Sequence, residues 1–469
     1  MKTAVAKSGW LQETGVRFDA AYHLSEGRQA RHLVESAPLG TVGLGEATKR
    51  IFYGGRAKRY YVDSPERGIP FMGSSDMLKA DLSSIKYVST KHTRDLEDSM
   101  LQAGWTLISR SGTIGNTAFT TKDFEGKAAS EHIIRVVPNG KLPAGYLYAF
   151  LSSSFGYGLL TQGTFGAVIQ HIEPDFVAEV PVPLLPEAQM QQIHADIEAA
   201  STLREQATQL LLDANNLFEE GNGLTYNESW LAPSENIDKA ANVVRASDIL
   251  VTSIKARNHS YRSTQIIREW HRKPGIILNE YLTEPFTNGT GGGYFKRIDD
   301  KNFRGPGMVS QSDLHRQNPG NYKRVKIIRA TSKDYAQPEM VLFPSVGNAA
   351  GENEIFVQPT LAYKLYEGQL LSGDIGRFIC NSKEDAAYLF TALRTKAGFR
   401  ILRAMIYGTT LRRLNWQLIK DINIPIADQN LKNKVSKLVL RAFDFRHEAN
   451  QLENKAIQAV ETAISSWQK

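Results

Sequence analysis

Tyr146-Leu147-Tyr148-Ala149-Phe150-Leu151 and Tyr388-Leu389-Phe390-Thr391-Ala392-Leu393 are two writings of one segment. Twenty residues after its first tyrosine, each copy has a glycine, Gly166 and Gly408. Seventeen residues further on, each has a proline: Pro183 in Val180-Pro181-Val182-Pro183 and Pro425 in Ile424-Pro425-Ile426. Both copies then run into a long helical pattern.

The repeat extends outward from this stretch. Arg17-Phe18-Asp19-Ala20-Ala21-Tyr22 faces Ala256-Arg257-Asn258-His259-Ser260-Tyr261, and Glu46 and Phe52 fall opposite Glu280 and Phe286. Lys58-Arg59 lies opposite Lys296-Arg297, and Gly73-Ser74-Ser75-Asp76-Met77 opposite Ser310-Gln311-Ser312-Asp313-Leu314. Trp105-Thr106-Leu107-Ile108-Ser109 resembles Met340-Val341-Leu342-Phe343-Pro344, and residues 130–135 align with 372–377. The offset drifts as surface loops tolerate insertions. Collinear order over so long a period indicates a duplicated domain rather than a solenoid. Within each copy, short β-rich runs at 105–109, 132–137, 326–329 and 341–343 alternate with Gly, Asn and Pro punctuation. Residues 142–160 and 385–404 read as helices.

After Pro186 no proline or glycine occurs until Gly221. Positions 193, 197, 200, 204, 207, 211, 214 and 218 hold Ile, Ile, Ala, Arg, Ala, Leu, Ala and Phe, a 4–3 alternation typical of a coiled-coil seam. Near Asp428 a second such helix begins, with Val435, Val439, Ala442, Arg446 and Ala449 in its seam. The expected fold class is α/β: two similar mixed α/β domains separated by two long helices forming an antiparallel coiled coil. The expected boundaries are 1–185, 186–220, 221–427 and 428–469. An alternative, in which each helix covers its own domain, stays open.

The chain has 469 residues and a net charge of +7, which favours a polyanionic partner. Its single cysteine, Cys380, excludes an internal disulfide and a cysteine zinc cluster and fits a reducing cytoplasm. The first residues lack a signal-peptide core, and no run of about eighteen apolar residues suggests a membrane span. A cytoplasmic location is therefore expected. The glycine stretch Gly289-Thr290-Gly291-Gly292-Gly293 does not open an apolar helix, and no G-x-x-x-x-G-K-[ST] run exists. Neither an Asn-Pro-Pro-aromatic nor an Asp-Pro-Pro-aromatic run occurs, and the ten histidines are scattered with no H-x-x-x-H pair. Glu352 and Glu354 read as solvated loop carboxylates. Catalytic residues and metal ligands are expected to be none, and no cofactor is expected in this chain.

Basic residues interleaved with aromatics and small polar groups in glycine-marked loops make candidate DNA contacts. In the first copy these are Arg56, Lys58, Arg59 and Tyr60; Arg110, Ser111, Thr113 and Asn116; and Thr164, Gln170 and His171. In the second they are Tyr294, Lys296 and Arg297; Asn348; and Thr409, Thr410, Arg412 and Arg413. Lys and Arg would bind phosphates, giving salt-dependent affinity, and Arg, Asn, Gln and Thr on loops can reach base edges. Arg110 is expected to reach a base. Because Arg110-Ser111-Gly112-Thr113 differs from Ser345-Val346-Gly347-Asn348, the two copies are expected to read different sequences.

The run Ile51-Phe52-Tyr53-Gly54-Gly55-Arg56-Ala57-Lys58-Arg59-Tyr60-Tyr61-Val62 precedes Gly68-Ile69-Pro70-Phe71 and Leu107-Ile108-Ser109-Arg110-Ser111-Gly112-Thr113-Ile114-Gly115. With Phe165-Gly166-Ala167-Val168-Ile169-Gln170-His171-Ile172, it resembles the specificity (S) subunit of Type I restriction-modification systems. In the second half Pro344-Ser345-Val346-Gly347 and Leu411-Arg412-Arg413-Leu414 replace the corresponding motifs. The resemblance implies a non-catalytic subunit with two target recognition domains, each reading half of a bipartite double-stranded DNA site. It implies helices that fix the spacer and dock two methyltransferase (modification) subunits, which carry S-adenosylmethionine, and separate motor-nuclease restriction subunits. Two other classes stay open: a stand-alone DNA-modifying enzyme and a two-headed protein-binding adaptor.

Overall fold

The computed structural model describes residues 26–56, 58–62, 65–94, 96–162, 171–231, 243, 253–284, 297–299, 304–320, 322–327, 330–347 and 355–467. Two compact units divide the chain: Met1–Glu205 with Glu448–Lys469, and Gln206–His447.

The first unit begins with helix α1 (Glu26–Glu35) and strands β1 (Thr41–Gly43) and β2 (Thr48–Phe52). Strands β3 (Tyr61–Val62), β4 (Gly68–Met72), β5 (Tyr87–Ser89), β6 (Thr106–Ser109), β7 (Thr117–Phe119), β8 (Ala128–Ala129) and β9 (Ile133–Pro138) follow. Helices α2 (Ala144–Ser152), α3 (Ser154–Gln162) and α4 (Pro174–Ala178) and strand β10 (Pro181–Pro183) lead to the long helix α5 (Glu187–Gly221). One sheet has the order β2-β9-β6-β7, a second the order β3-β5-β4-β8, and β1 pairs with β10. Strand β6 is buried along its whole length. Successive side chains of a strand face opposite ways: Leu107 joins a cluster with Met72, Met77 and Phe124, and Ile108 joins one with Tyr146, Leu147 and Phe150.

After a one-turn helix α6 (Glu228–Leu231), the second unit has α7 (Tyr261–His271) and β11 (Gly275–Ile277). Strands β12 (Arg297–Asp299), β13 (Gly307–Val309), β14 (Lys323–Ile327), β15 (Met340–Pro344), β16 (Val346–Gly347), β17 (Thr360–Leu361), β18 (Leu370–Leu371) and β19 (Ile375–Ile379) follow. Helices α8 (Lys383–Arg394) and α9 (Lys396–Ala404), the strand pair β20 (Ile406–Tyr407) and β21 (Arg412–Leu414), α10 (Trp416–Ile419), β22 (Asn423–Pro425) and the long helix α11 (Gln429–Ser465) complete it.

The two units share strand register. Leu107 stands opposite Arg135 on β9, and Leu342 opposite Arg377 on β19. The parallel pairing of Met72 with Ala129 recurs as Val309 with Leu371. The backbone N–H of Gly73 donates to Asp76 Oδ2 at 2.8 Å, and that of Ser310 to Asp313 Oδ2 at 2.9 Å. The buried Tyr146 hydroxyl donates to the Pro183 carbonyl, as Tyr388 does to Pro425 at 2.8 Å. The tyrosine and proline that mark the repeat in the sequence are therefore hydrogen-bonded partners in both units.

The helices expected at 142–160 and 385–404 are each two helices. The chain breaks at Ser153 and Thr395, whose hydroxyls accept the backbone N–H of Gly156 and Gly398, each at 3.1 Å. A Cβ on either glycine would lie 2.1 Å from a carbonyl oxygen, that of Phe150 or Ala392. The absence of a side chain lets the second helix fold back this tightly. The run expected at 326–329 starts earlier, at Lys323, and its residues 328–329 lie outside the described residues.

In the first unit Ile193 and Ile197 of α5 cluster with Ala456, Val460 and Ile464 of α11. Asp196 pairs with Lys455 at 2.9 Å and Arg204 bonds Asn450 at 2.9 Å, so the two segments run in opposite directions. In the second unit Ala207, Leu211, Ala214 and Phe218 cluster with Val435, Val439 and Ala442. The 4–3 seam positions are thus buried within each unit, except Arg446, which is half-buried. Apolar side chains at these positions exclude water from the helix–helix contact.

Candidate nucleic-acid interface

In the first unit the loop after β6 closes on itself. The N–H of Ser109 donates to Asn116 O at 2.8 Å and that of Gly115 to Ser109 O at 3.0 Å. Asn116 N donates to Ser109 Oγ at 3.0 Å, its Nδ2 donates to Thr113 O at 2.9 Å, and Ser109 Oγ also bonds Thr113 O. Gly112 and Gly115 sit at φ of 79° and 82°, where a side chain would strain the turn. Asn116 is therefore a staple of the loop, and Gly112 and Thr113 are exposed at its tip.

Arg110 occupies a different place from the one its sequence suggests. It is 4% exposed, its guanidinium pairs with Glu173 and lies 4.3 Å from the Tyr53 ring centroid. Its backbone N–H donates to His132 O at 2.8 Å, and its carbonyl accepts from Ile172 N at 3.3 Å. A side chain so enclosed organises the wall rather than reaching out to a base. Arg110→Ala should strand Glu173 and uncover Tyr53, costing the first unit about 1–3 kcal/mol in denaturant titrations. Unchanged stability would put Arg110 back on the surface.

Around Arg110, three segments meet. Ser111 bridges His171 in antiparallel register, so their side chains share a face. Ser111 Oγ is 2.6 Å from His132 Nδ1. His132 Nε2 is 3.6 Å from Glu131, which also pairs with Arg59. Burial, and then the charges of Arg110, His132 and Arg56, hold the His171 imidazole below the usual histidine range. The sequence reading missed His132, Glu131, Glu173 and Tyr53. Nothing in their spacing marks them, because only the strand pairing of β6 with β9 brings 131–132 beside 110–111.

Arg56 and Lys58 are exposed beside this cluster. Lys58 lies 5.1 Å from the ring of Tyr60, which is 43% exposed, and Lys86 lies 5.7 Å from that of Tyr61. In the second unit Asp299 stands opposite Val325 as Tyr61 stands opposite Val88, which puts Arg297 at the place of Arg59. Lys323, Arg324 and Lys326 are exposed on β14. In the sequence, residues 326–329 mark only a strand; the exposed basic residues gather once β14 extends back to Lys323 and pairs with β12.

The counterpart of the Ser111–His171 bridge is a three-stranded sheet, β16-β21-β20. Val346 stands opposite Arg413, and Arg413 opposite Tyr407. Gly408, at φ 94°, turns the hairpin, and Thr409, Thr410 and Leu411 are exposed at its tip. Arg412 Nε bonds back to Thr409 O at 3.4 Å. Thr164, Gln170, Tyr294, Lys296, Asn348, Phe286, Glu352 and Glu354 lie outside the described residues, as does the side chain of Arg297.

Each unit thus joins guanidinium and ammonium groups to exposed aromatic rings and hydroxyls, a set suited to phosphate oxygens, base edges and base faces. Among the described residues no group of three His, Cys, Asp or Glu side chains could hold a metal ion, and no helix is long and apolar enough to cross a membrane.

No protein-family model matches the chain, and neither does any curated protein. Solved structures to which it is similar include the Type-I restriction-modification system S subunit from M. genitalium, at TM-score 0.31 and 11% identity over 91% of this chain and 95% of that one. Another is the HsdS subunit from Thermoanaerobacter tengcongensis, at TM-score 0.26 and 13% identity over 90% and 96%. A third, described by the complex assembly and conformational transition of the type I R-M system, has TM-score 0.26 and 12% identity over 90% and 97%. Coverage is broad, but at these scores and identities the likeness does not establish the family.

Proposed function

We propose that this chain is a sequence-specific DNA-reading subunit of a Type I restriction-modification complex, without catalytic groups of its own. Each mixed α/β unit reads one half of a bipartite double-stranded site. The long helices set the unread spacer and dock two methyltransferase subunits, which hold S-adenosylmethionine; motor-nuclease subunits complete the complex in a cytoplasmic setting. The observation that carries this reading is a pair of backbones with one register and two chemistries. Ser111 opposite His171 in the first unit becomes Val346 opposite Arg413 in the second. Shared register with changed side chains suits two readers of unlike sequence. The net charge of +7 and the exposed Arg56, Lys58, Lys323, Arg324 and Lys326 suit a polyphosphate backbone.

Selection from a randomised duplex library, with the full chain and its methyltransferase partner, tests the reading. Two short defined sequences at a fixed separation are expected. If no bipartite sequence is enriched, DNA reading is not the function. The chain alone, given S-adenosylmethionine or magnesium, should leave DNA unmodified; modification would favour the enzyme alternative.

Inserting one heptad into α5 near Ala207 and one at the matching turn of α11 adds about 10 Å to each helix. The selected spacer should then change length or the site be lost, with both half-site sequences retained. An altered half-site with an unaltered spacer would contradict the role given to the helices.

A further inference from the structure

We infer that His171 and Arg413 are the specificity-determining pair of the two units, and that Arg413 selects a guanine in the second half-site. The inference rests on the DNA-reading function proposed above and assigns roles within it.

The two residues occupy one position in two copies. His171 stands opposite the second residue after β6, Ser111, and Arg413 stands opposite Val346, the second residue after β15. The peptide unit before each bridging partner is fixed alike: Arg110 N donates to His132 O at 2.8 Å, and Ser345 N to Asp374 O at 2.9 Å. The backbone frame is therefore constant while the side chain it presents changes.

The chemistry on the two frames differs sharply. In the first unit the row is Ser111 and His171, with His132 bonded to Ser111 and the buried Arg110 behind it. Both imidazoles and the hydroxyl can donate or accept, so the face carries a mixed hydrogen-bonding pattern. In the second unit the row across the strands is Val346, Arg413 and Tyr407. Val346 offers no hydrogen bond, and Tyr407 is 39% exposed, flanking the arginine with a ring. Of the two adjacent arginines, Arg412 points to the other face of β21 and is tied back to Thr409. Arg413 is left as the fork on the row, and a planar fork of donors matches guanine O6 and N7.

The test is the same library selection, run on the full chain with its methyltransferase partner for the wild type, His171→Arg, Arg413→His and Arg413→Lys. Arg413→Lys keeps the charge, removes the fork and is the variant least prone to misfold. The wild-type second half-site should contain a guanine whose preference falls roughly 5- to 150-fold in Arg413→Lys and Arg413→His. His171→Arg should change a base in the first half-site only. A second half-site without guanine, an unchanged preference in Arg413→Lys, or changes in both half-sites from a single substitution would overturn the assignment. A wild type that selects no bipartite site would overturn the DNA-reading function itself, and this assignment with it.

Discussion

Glu453→Ala should destabilise the first unit by about 3–5 kcal/mol, among the largest losses expected from any single truncation in this chain. Glu453 is 4% exposed and Arg204 is 9% exposed, and they pair inside the helix seam. Arg204 also donates to Asn450 Oδ1 at 2.9 Å, and the Tyr148 hydroxyl donates to Glu453. Burial keeps the Tyr148 phenol protonated, so it serves Glu453 as a neutral donor. Removing the carboxylate takes the counter-charge from a buried guanidinium that also bonds the Asn450 amide. Water cannot easily replace the lost carboxylate there, so the cost of removing a buried counter-charge is felt.

In the second unit the arginine is kept, as the half-buried Arg446, while the residues at the places of its carboxylate and phenol partners are apolar. At the repeat offset that relates Tyr146 to Tyr388, Glu453 corresponds to Leu211 and Tyr148 to Phe390. Leu211 is buried, Phe390 stacks edge-on to Phe443 at 5.5 Å, and Arg446 lies 5.3 Å from the Phe443 ring. Replacing both charges, Arg204→Leu with Glu453→Leu, leaves no unpaired charge in the seam and should recover most of the loss, or exceed wild-type stability. Urea titration of the single and double variants measures both. A Glu453→Ala loss under 1 kcal/mol, or a double variant no better than the single, would mean that the pair is solvated.

The duplication was legible in the sequence because the marked residues have local jobs that any copy must repeat. Tyr146 and Tyr388 need their proline carbonyls, and Asp76 and Asp313 need the N–H three residues back. The seam of α5 was legible because helical periodicity survives without tertiary context. The helix breaks were written too, as Ser153-x-x-Gly156 and Thr395-x-x-Gly398, but inside apolar runs that read as continuous helix. What could not be read was whatever strand pairing creates. The site histidine His132 lies twenty-one residues from Ser111, and no local pattern joins them. Arg110 looked like a reader because it follows a β-run and precedes a glycine turn. Its burial depends on Tyr53 and Glu173, which approach from other elements.

Arg135 shows how far such a hidden residue can matter, and Arg135→Met should cost the first unit at least about 3 kcal/mol. This arginine is fully buried on β9. Its Nη1 donates to the carbonyls of Ile133 at 2.9 Å and Ser130 at 3.3 Å. Its Nη2 donates to Ser99 O at 3.1 Å and to Ala129 O. Burial, reinforced by the charge of Arg50, pulls its pKa down to about 10, so it stays charged at neutral pH. Methionine fills much of the volume but takes one donor from each of four carbonyls, of which Ser130 O keeps the Ile133 N–H, at about 1–3 kcal/mol for each that neither water nor another donor reaches. Three of those carbonyls, of Ala129, Ser130 and Ile133, flank Glu131 and His132 in the chain. The same substitution should therefore loosen the Ser111–His132 contact and weaken selection of the first half-site while the second is kept. Arg377, opposite Leu342 in the second unit, donates to Lys333 O, so Arg377→Met should act on the second half-site alone and cost less. Chemical denaturation paired with half-site selection separates the two effects. If Arg135→Met lost stability but left first-half selection intact, the turn at 130–132 would not be part of the reading surface.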